Sequence, residues 1–342
     1  MNAAPVLLGY AAGVGLLAPR LLLRSAWPHR APALAVAVWL GLIVSFTLAV
    51  ALAAHHLADP TGHLHADLIG LLHSCGLTGL TGPTDVAGVT ELAEVAGVAD
   101  VAAVTGVAEV ADVTGVAGVA EPTIADRLAI ALPGSVLLLA LGGFAREVLR
   151  GHRARARHRR VLDLVGRRAP QLSATVVEHD RPAAYCLPGH RPRIVVSAGA
   201  LRLLTPVQLR AVLDHERAHI AGRHHLALAV TEAFARLLRW LPLARHAREQ
   251  TVVLLEMVAD DRALRRHSRE VLATAMYEMA AARSVPAGAF ALGGPTALLR
   301  LRRVLTPQRR PPLALRGAVA AGAVLVPVLP LLFGCVPAPA LG

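Results

Sequence analysis

The chain has 342 residues, 55% hydrophobic and only 3% aromatic, and its mean hydropathy of +0.53 argues against an ordinary soluble globule. All 35 basic residues are arginine, and against 23 acids they leave a formal charge of +12, which directs attention to anionic partners. Cys75, Cys186 and Cys335 lie far apart and form no C-x-x-C pair, so neither a disulfide scaffold nor a cysteine zinc site is indicated.

Four uncharged apolar runs, residues 3–19, 33–54, 128–145 and 317–335, approach the roughly 20 residues that a helix needs to cross a bilayer. The first lacks a basic leader, so it reads as a retained anchor rather than a signal peptide. Arg20, Arg24 and Arg30 separate the first two runs, while residues 55–126 hold ten acids and no arginine. Residues 144–312 carry 30 arginines against 13 acids. The bias of basic residues near span ends places the short first loop and the 144–312 region in the cytoplasm. The predicted organisation is two spans in 1–54, an outer loop in 55–126, a third span in 127–145, a cytoplasmic domain in 146–312, and a fourth span with a short tail in 313–342.

The outer loop contains four nonapeptides, starting at Val86, Val95, Val104 and Val113, of pattern V-[AT]-G-V-[AT]-x-[VL]-A-x. A low-complexity spacer is favoured over a small stacked β-coil. His55, His56, His63, His65 and His73 precede it; with no ligand pair at helical spacing, an irregular polar loop is favoured over an external metal sensor. From Arg146 to Arg168 nine arginines follow the third run, a pattern suited to anionic lipid headgroups. Nucleic acid is not expected as a partner, because no groove-reading element or stacking aromatics accompany the charge.

Residues 173–178, 183–187 and 193–197 are short β-like runs split by Pro- and Gly-containing segments, which predicts a hairpin or meander. An exposed edge there could bind an extended peptide by strand addition. Thr205 then caps, and Pro206 opens, a helix ending near Gly222. It carries His215-Glu216-Arg217-Ala218-His219, the H-E-x-x-H pattern, whose two histidines share one helix face and can bind one Zn²⁺. Glu216 falls beside the metal's open position, where it can take a proton from a water attacking a carbonyl. A third ligand is offered by Glu256, in the apolar helical run TVVLLEMVADDRAL, and Asp260, one turn on, can accept the other ring N–H of a ligating histidine. By residue type alone Tyr277, Arg283, His224 and His267 are oxyanion candidates, and none is singled out.

The run AAYCLPGHRPRIVVSAGALRLLTPVQLRAVLDHERAHIAGRHH with the later E-M-V-A-D-D-R-A resembles the membrane zinc peptidases of the heat-shock-peptidase and CAAX-prenyl-protease group. Within that group it is most similar to the β-lactam-sensor antirepressor peptidases, which also place three spans before the peptidase domain and one after. The resemblance implies one Zn²⁺ per chain held by His215, His219 and Glu256, with Glu216 as general base and Asp260 behind a ligand. The expected fold is a mainly α membrane protein with four transmembrane helices and a cytoplasmic α+β zincin-like (gluzincin) domain between the third and fourth. The expected function is hydrolysis of peptide bonds in a protein or peptide substrate. The competing reading is a non-catalytic membrane receptor or scaffold with a vestigial metal site. An Ala, Arg, Leu and Val bias without lysine points to a bacterial source, and hence to the plasma membrane.

Overall fold

The computed structural model describes residues 3–58, 124–282, 294–306 and 311–335; the nonapeptide repeats, His63, His65, His73 and Arg283 lie outside the described residues. Among these, four helical stretches are long and apolar enough to cross a membrane. The first joins α1 (Ala4–Ala12) to α2 (Ala18–Arg24) through a π turn at Gly13–Leu17. Pro19, lacking an N–H, cannot continue the α ladder, and the wider turn absorbs the mismatch by bonding the Ala18 N–H to the Gly13 carbonyl. After a single turn, α3 (Trp27–Arg30), the chain enters α4 (Pro32–Ala58), which packs against α1, against α5 (Ile124–Val165) and against α12 (Leu313–Cys335).

Prolines inside two of these helices leave carbonyls without their ladder partner, and neighbouring side chains supply it, as an apolar surrounding requires. Pro133 in α5 cannot bond Ala129, and Nδ1 of His55 on α4 lies 2.8 Å from that carbonyl. Pro330 in α12 frees Val326, whose carbonyl accepts from Ser45 Oγ at 2.8 Å and from Tyr10 Oη at 3.0 Å. His55 and His56 are thus part of the last turn of α4 rather than of the loop expected to begin at residue 55, and His55 is buried.

Helix α5 continues unbroken for 42 residues, past the boundary expected at residue 145. Its polar half clamps a four-stranded sheet: His158 lies 2.7 Å from Tyr185 Oη, Arg159 donates to the Pro188 carbonyl, and Asp163 pairs with Arg193 at 2.7 Å. The strands are β1 (Gly166–Ala169), β2 (Ala174–Val177), β3 (Ala184–Leu187) and β4 (Arg193–Ser197), in the spatial order β1-β2-β4-β3. The β3–β4 pair is the hairpin expected from sequence, but β2 runs parallel to β4, so the sheet is not a meander. The crossing is made by residues 179–182, which pass so close to Gly199 that a Cβ there would collide with the Asp180 carbonyl. β1 was not expected, because its arginines face outward and leave no apolar alternation to read.

Ser197 caps α6 (Ala198–Leu203), and Thr205 with Gln208 forms a capping box on α7 (Pro206–Ala221). Then follow α8 (His224–Leu237), α9 (Pro242–Ala263), α10 (Arg269–Ala281) and α11 (Gly294–Leu305). Val36, Trp39 and Ile43 of α4 share one apolar core with Phe234 of α8 and with Leu243, Leu254 and Met257 of α9. The helical bundle and the motif-bearing region are therefore one packed body.

Candidate active site

Helix α7 presents His215 and His219 on the face turned to α9, which brings up Glu256. His215 Nε2 and His219 Nε2 are 3.2 Å apart; Glu256 Oε1 is 3.3 Å from His219 Nε2, and its Oε2 is 3.5 Å from His215 Nε2. Zinc bonds of about 2.0–2.1 Å at tetrahedral angles set neighbouring ligand atoms roughly 3.3–3.4 Å apart. The three side chains offer the donor set of a zinc site with one atom from each within 4.8 Å of the others, and together they could hold a metal ion.

The surroundings orient these atoms. Asp260, fully buried, accepts from His215 Nδ1–H at 3.0 Å, which turns Nε2 toward His219 and Glu256. His219 Nδ1 lies 2.8 Å from Nδ1 of the buried His224; with Nε2 of His219 as a ligand atom, its Nδ1–H donates to His224. Arg300 of α11 donates from Nε and Nη2 to the two oxygens of Asp260 at 2.9 and 2.8 Å, and pairs with Glu256 at 2.7 Å.

Charge follows from these contacts. Burial opposes ionisation of Asp260, but the bonds from Arg300 and His215 outweigh it and hold the carboxyl at about 2. Glu256 is likewise held at about 2, burial being outweighed by His215 and Arg300. Burial alone would lower His215, yet Asp260 and Glu256 raise it to about 9, whereas burial brings His219 down to about 4. At neutral pH His219 offers a lone pair at once, while His215 must first release a proton for a cation to take its place beside Glu256.

Glu216 projects next to this group and lines a cleft of about 240 Å³ with Ala184, Met276, Met279 and Arg300. Burial raises its pKa, offset in part by the charge of His215 and by contacts with the thiol and backbone N–H of Cys186. The same burial, with Glu216 close by, pushes the Cys186 thiol up to about 12, so it stays protonated. Cys186 and Ala184 belong to β3, the outermost strand, whose far edge pairs with no strand among the described residues.

All five residues singled out from sequence, His215, Glu216, His219, Glu256 and Asp260, are thus brought to one place. Of the oxyanion candidates, His267 is occupied by Asp214 at 2.9 Å, His224 backs His219, and Tyr277 is exposed on α10. Arg300 was not anticipated; the only sequence signal is that Arg300 and Arg303 share the i, i+3 spacing needed to meet the adjacent Asp260 and Asp261.

Residues 149–259 match peptidase family M48. The matched segment runs from the polar half of α5 through the sheet and α7 to α9, taking in His215, Glu216, His219 and Glu256. It covers about a third of the chain and supports a metallopeptidase function, in a family whose members are generally zinc-dependent. No solved structure matches the chain.

Proposed function

We propose that the chain is a multi-pass zinc metalloendopeptidase of the bacterial plasma membrane, with its catalytic region on the cytoplasmic side, that hydrolyses peptide bonds of a regulator or a membrane protein. The observation that carries this reading is the cluster of His215 Nε2 and His219 Nε2, 3.2 Å apart, with the two oxygens of the Glu256 carboxylate 3.5 and 3.3 Å from them, beside Glu216 and near β3, an edge strand of the sheet. Three apolar helices before the peptidase region and one after it support a place near the antirepressor peptidases.

In this reading His215, His219 and Glu256 hold one Zn²⁺. The ion, when bound, supplies a Lewis acid that polarises a carbonyl and acidifies water. Glu216, its affinity for a proton raised by burial, accepts a proton from the attacking water and delivers it to the departing amine. An extended substrate adds to the edge of β3, and an apolar side chain next to the scissile bond enters the cleft between Val212, Leu272, Met276 and Met279. The shared core of α4 and α9 keeps the cleft near the bilayer, which favours substrates anchored there.

The test is zinc content and cleavage of unfolded casein by the detergent-purified chain, beside two variants. Wild type is expected to carry about one zinc per chain, and Glu216→Gln to keep the zinc while losing roughly 10²- to 10⁴-fold in rate. Glu256→Gln should lose the zinc. A folded wild type that takes up no zinc when supplied with it, or a Glu216→Gln variant with full activity, overturns the proposal.

A further inference from the structure

A second cavity, of about 550 Å³, lies where the N-terminal ends of α4 and α12 meet α9 and α10. Six arginines line it: Arg30, Arg262, Arg265, Arg269, Arg303 and Arg316. The one acid in its wall, Asp261, is already held by Arg303 through two bonds of 2.7 and 2.8 Å. Arg262 and Arg269 each donate to a backbone carbonyl. Arg30, Arg265 and Arg316 have no side-chain partner among the described residues, so the cavity holds a concentrated, uncompensated positive charge. The first turn of α4 also lines it, and the N–H groups of Ala33 and Leu34, preceding the ladder that begins with Ala35 bonding to Ala31, add the positive end of a 27-residue helix.

The position of the cavity says which anion it suits. The uncharged runs of α4 and α12 start at residues 33 and 317, three residues after Arg30 and one after Arg316, so the cavity sits at headgroup depth if these helices cross the bilayer. One helical turn deeper, an apolar groove of about 200 Å³ follows the seam between the same two helices, lined by Val38, Gly41 and Leu42 on one side and Val319, Gly322 and Ala323 on the other. Val38 follows Leu34 at i+4 and Val319 follows Arg316 at i+3, so groove and cavity share one face. A free phosphate would use the arginines and leave the groove idle; a phospholipid uses both. Arg153 and Arg157 of α5 are placed differently, since a straight helix carries them roughly 12 and 18 Å beyond residue 145, outside a Debye length of about 10 Å.

We propose that cavity and groove together bind one anionic phospholipid, its phosphate among Arg30, Arg265 and Arg316 and an acyl chain along the seam of α4 and α12. The proposal rests on the membrane-spanning reading. Helix α11 contributes Arg303 to this site and Arg300 to the Glu256–Asp260 pair, so the lipid site and the candidate metal site share a supporting helix.

The experiment uses the full chain in phosphatidylcholine nanodiscs, titrated with fluorescent phosphatidylglycerol, with inorganic phosphate as soluble competitor. Saturable binding of about one lipid per chain is expected, undisturbed by millimolar phosphate. Arg30→Gln/Arg265→Gln/Arg316→Gln, which removes no side-chain hydrogen bond or ion pair among the described residues, should weaken it about 100-fold, at about 1 kcal/mol per arginine. Gly322→Leu, where a Cβ meets nothing within 4 Å, should fill the groove and weaken it roughly tenfold, the worth of about two buried methylenes. Arg153→Gln/Arg157→Gln on α5 should leave it unchanged. Equal affinity for the neutral lipid, displacement by phosphate, or full binding by the triple variant or by Gly322→Leu overturns the proposal alone. Failure of the chain to enter any bilayer removes the membrane reading and this proposal with it.

Discussion

Replacing Arg300 with Met isolates what holds the charged centre together. The guanidinium is mostly buried and makes two bonds to Asp260, which has almost no solvent contact, and one to Glu256. The Asp260 carboxyl falls from its ordinary 3.8 to about 2, with Arg300 the largest favourable influence. At 1.36 kcal/mol per pKa unit that is about 2 kcal/mol in favour of the ionised form. Losing most of it in a region of this size should lower the apparent Tm of metal-free protein by roughly 5–8 °C. The sign with pH is definite: a depressed acid contributes its full stability above 3.8 and loses it as pH falls toward 2. The Arg300→Met deficit should therefore be present at pH 7 and shrink below about pH 4. Zinc should also narrow the gap, because a divalent cation beside Glu256 takes over part of the compensation. The assay is thermal unfolding in detergent at pH 7 and pH 3.5, with and without supplied zinc. A variant as stable as wild type without metal, or a deficit that widens when zinc is added, refutes the reasoning.

Three further outcomes follow from the same contacts. Because His215 holds a proton up to about pH 9, zinc uptake between pH 6 and 9 should release one proton from it, and affinity should fall about tenfold per pH unit below 9; calorimetry in buffers of different ionisation enthalpy reads the proton count, and uptake without release contradicts the assignment. His224→Ala removes the partner of His219 Nδ1 and should weaken zinc binding 10- to 100-fold. Gly222→Ala should reproduce that loss, because its Cβ would collide with the His224 ring, and competition with a chromogenic chelator measures both. In the helical bundle, Ser45 Oγ contacts both the Val326 carbonyl at 2.8 Å and Tyr10 Oη at 2.7 Å, so Ser45→Ala should cost about 1 kcal/mol, and unfolding measurements that find no loss would show that another group satisfies the carbonyl.

Much of the chemistry is visible in the linear sequence because it is local. An i, i+4 histidine pair with Glu216 between them lies within one helical segment, and Thr205-Pro206 announces where that helix begins. The placement of Glu256 is also legible, since a carboxylate inside an apolar helical run calls for a cation. Strand boundaries at β2, β3 and β4 follow from short apolar runs between Pro and Gly. The sheet order does not: parallel pairing of β2 with β4 depends on a crossing that Gly199 permits, and no local pattern encodes it. His224 shows the limit from the other side. Its position just past the motif helix reads as a polar helix end, yet the left-handed turn at Arg223 folds its ring back onto His219.

Composition, period and spacing by themselves determined that this chain has long apolar helices, a strongly basic remainder and a helix carrying two histidines and a glutamate with metal-site chemistry. These properties depend on residues within one or two helical turns of each other. Tertiary structure alone decided that Arg300 neutralises Glu256 and Asp260 across 40 or more positions of chain. It also decided that His55 and Ser45 cover carbonyls freed by prolines on other helices, and that six arginines from five helices and a turn line one cavity. Charges and polar groups buried far from water must find partners wherever the packing brings them, and that choice is made by the whole chain at once.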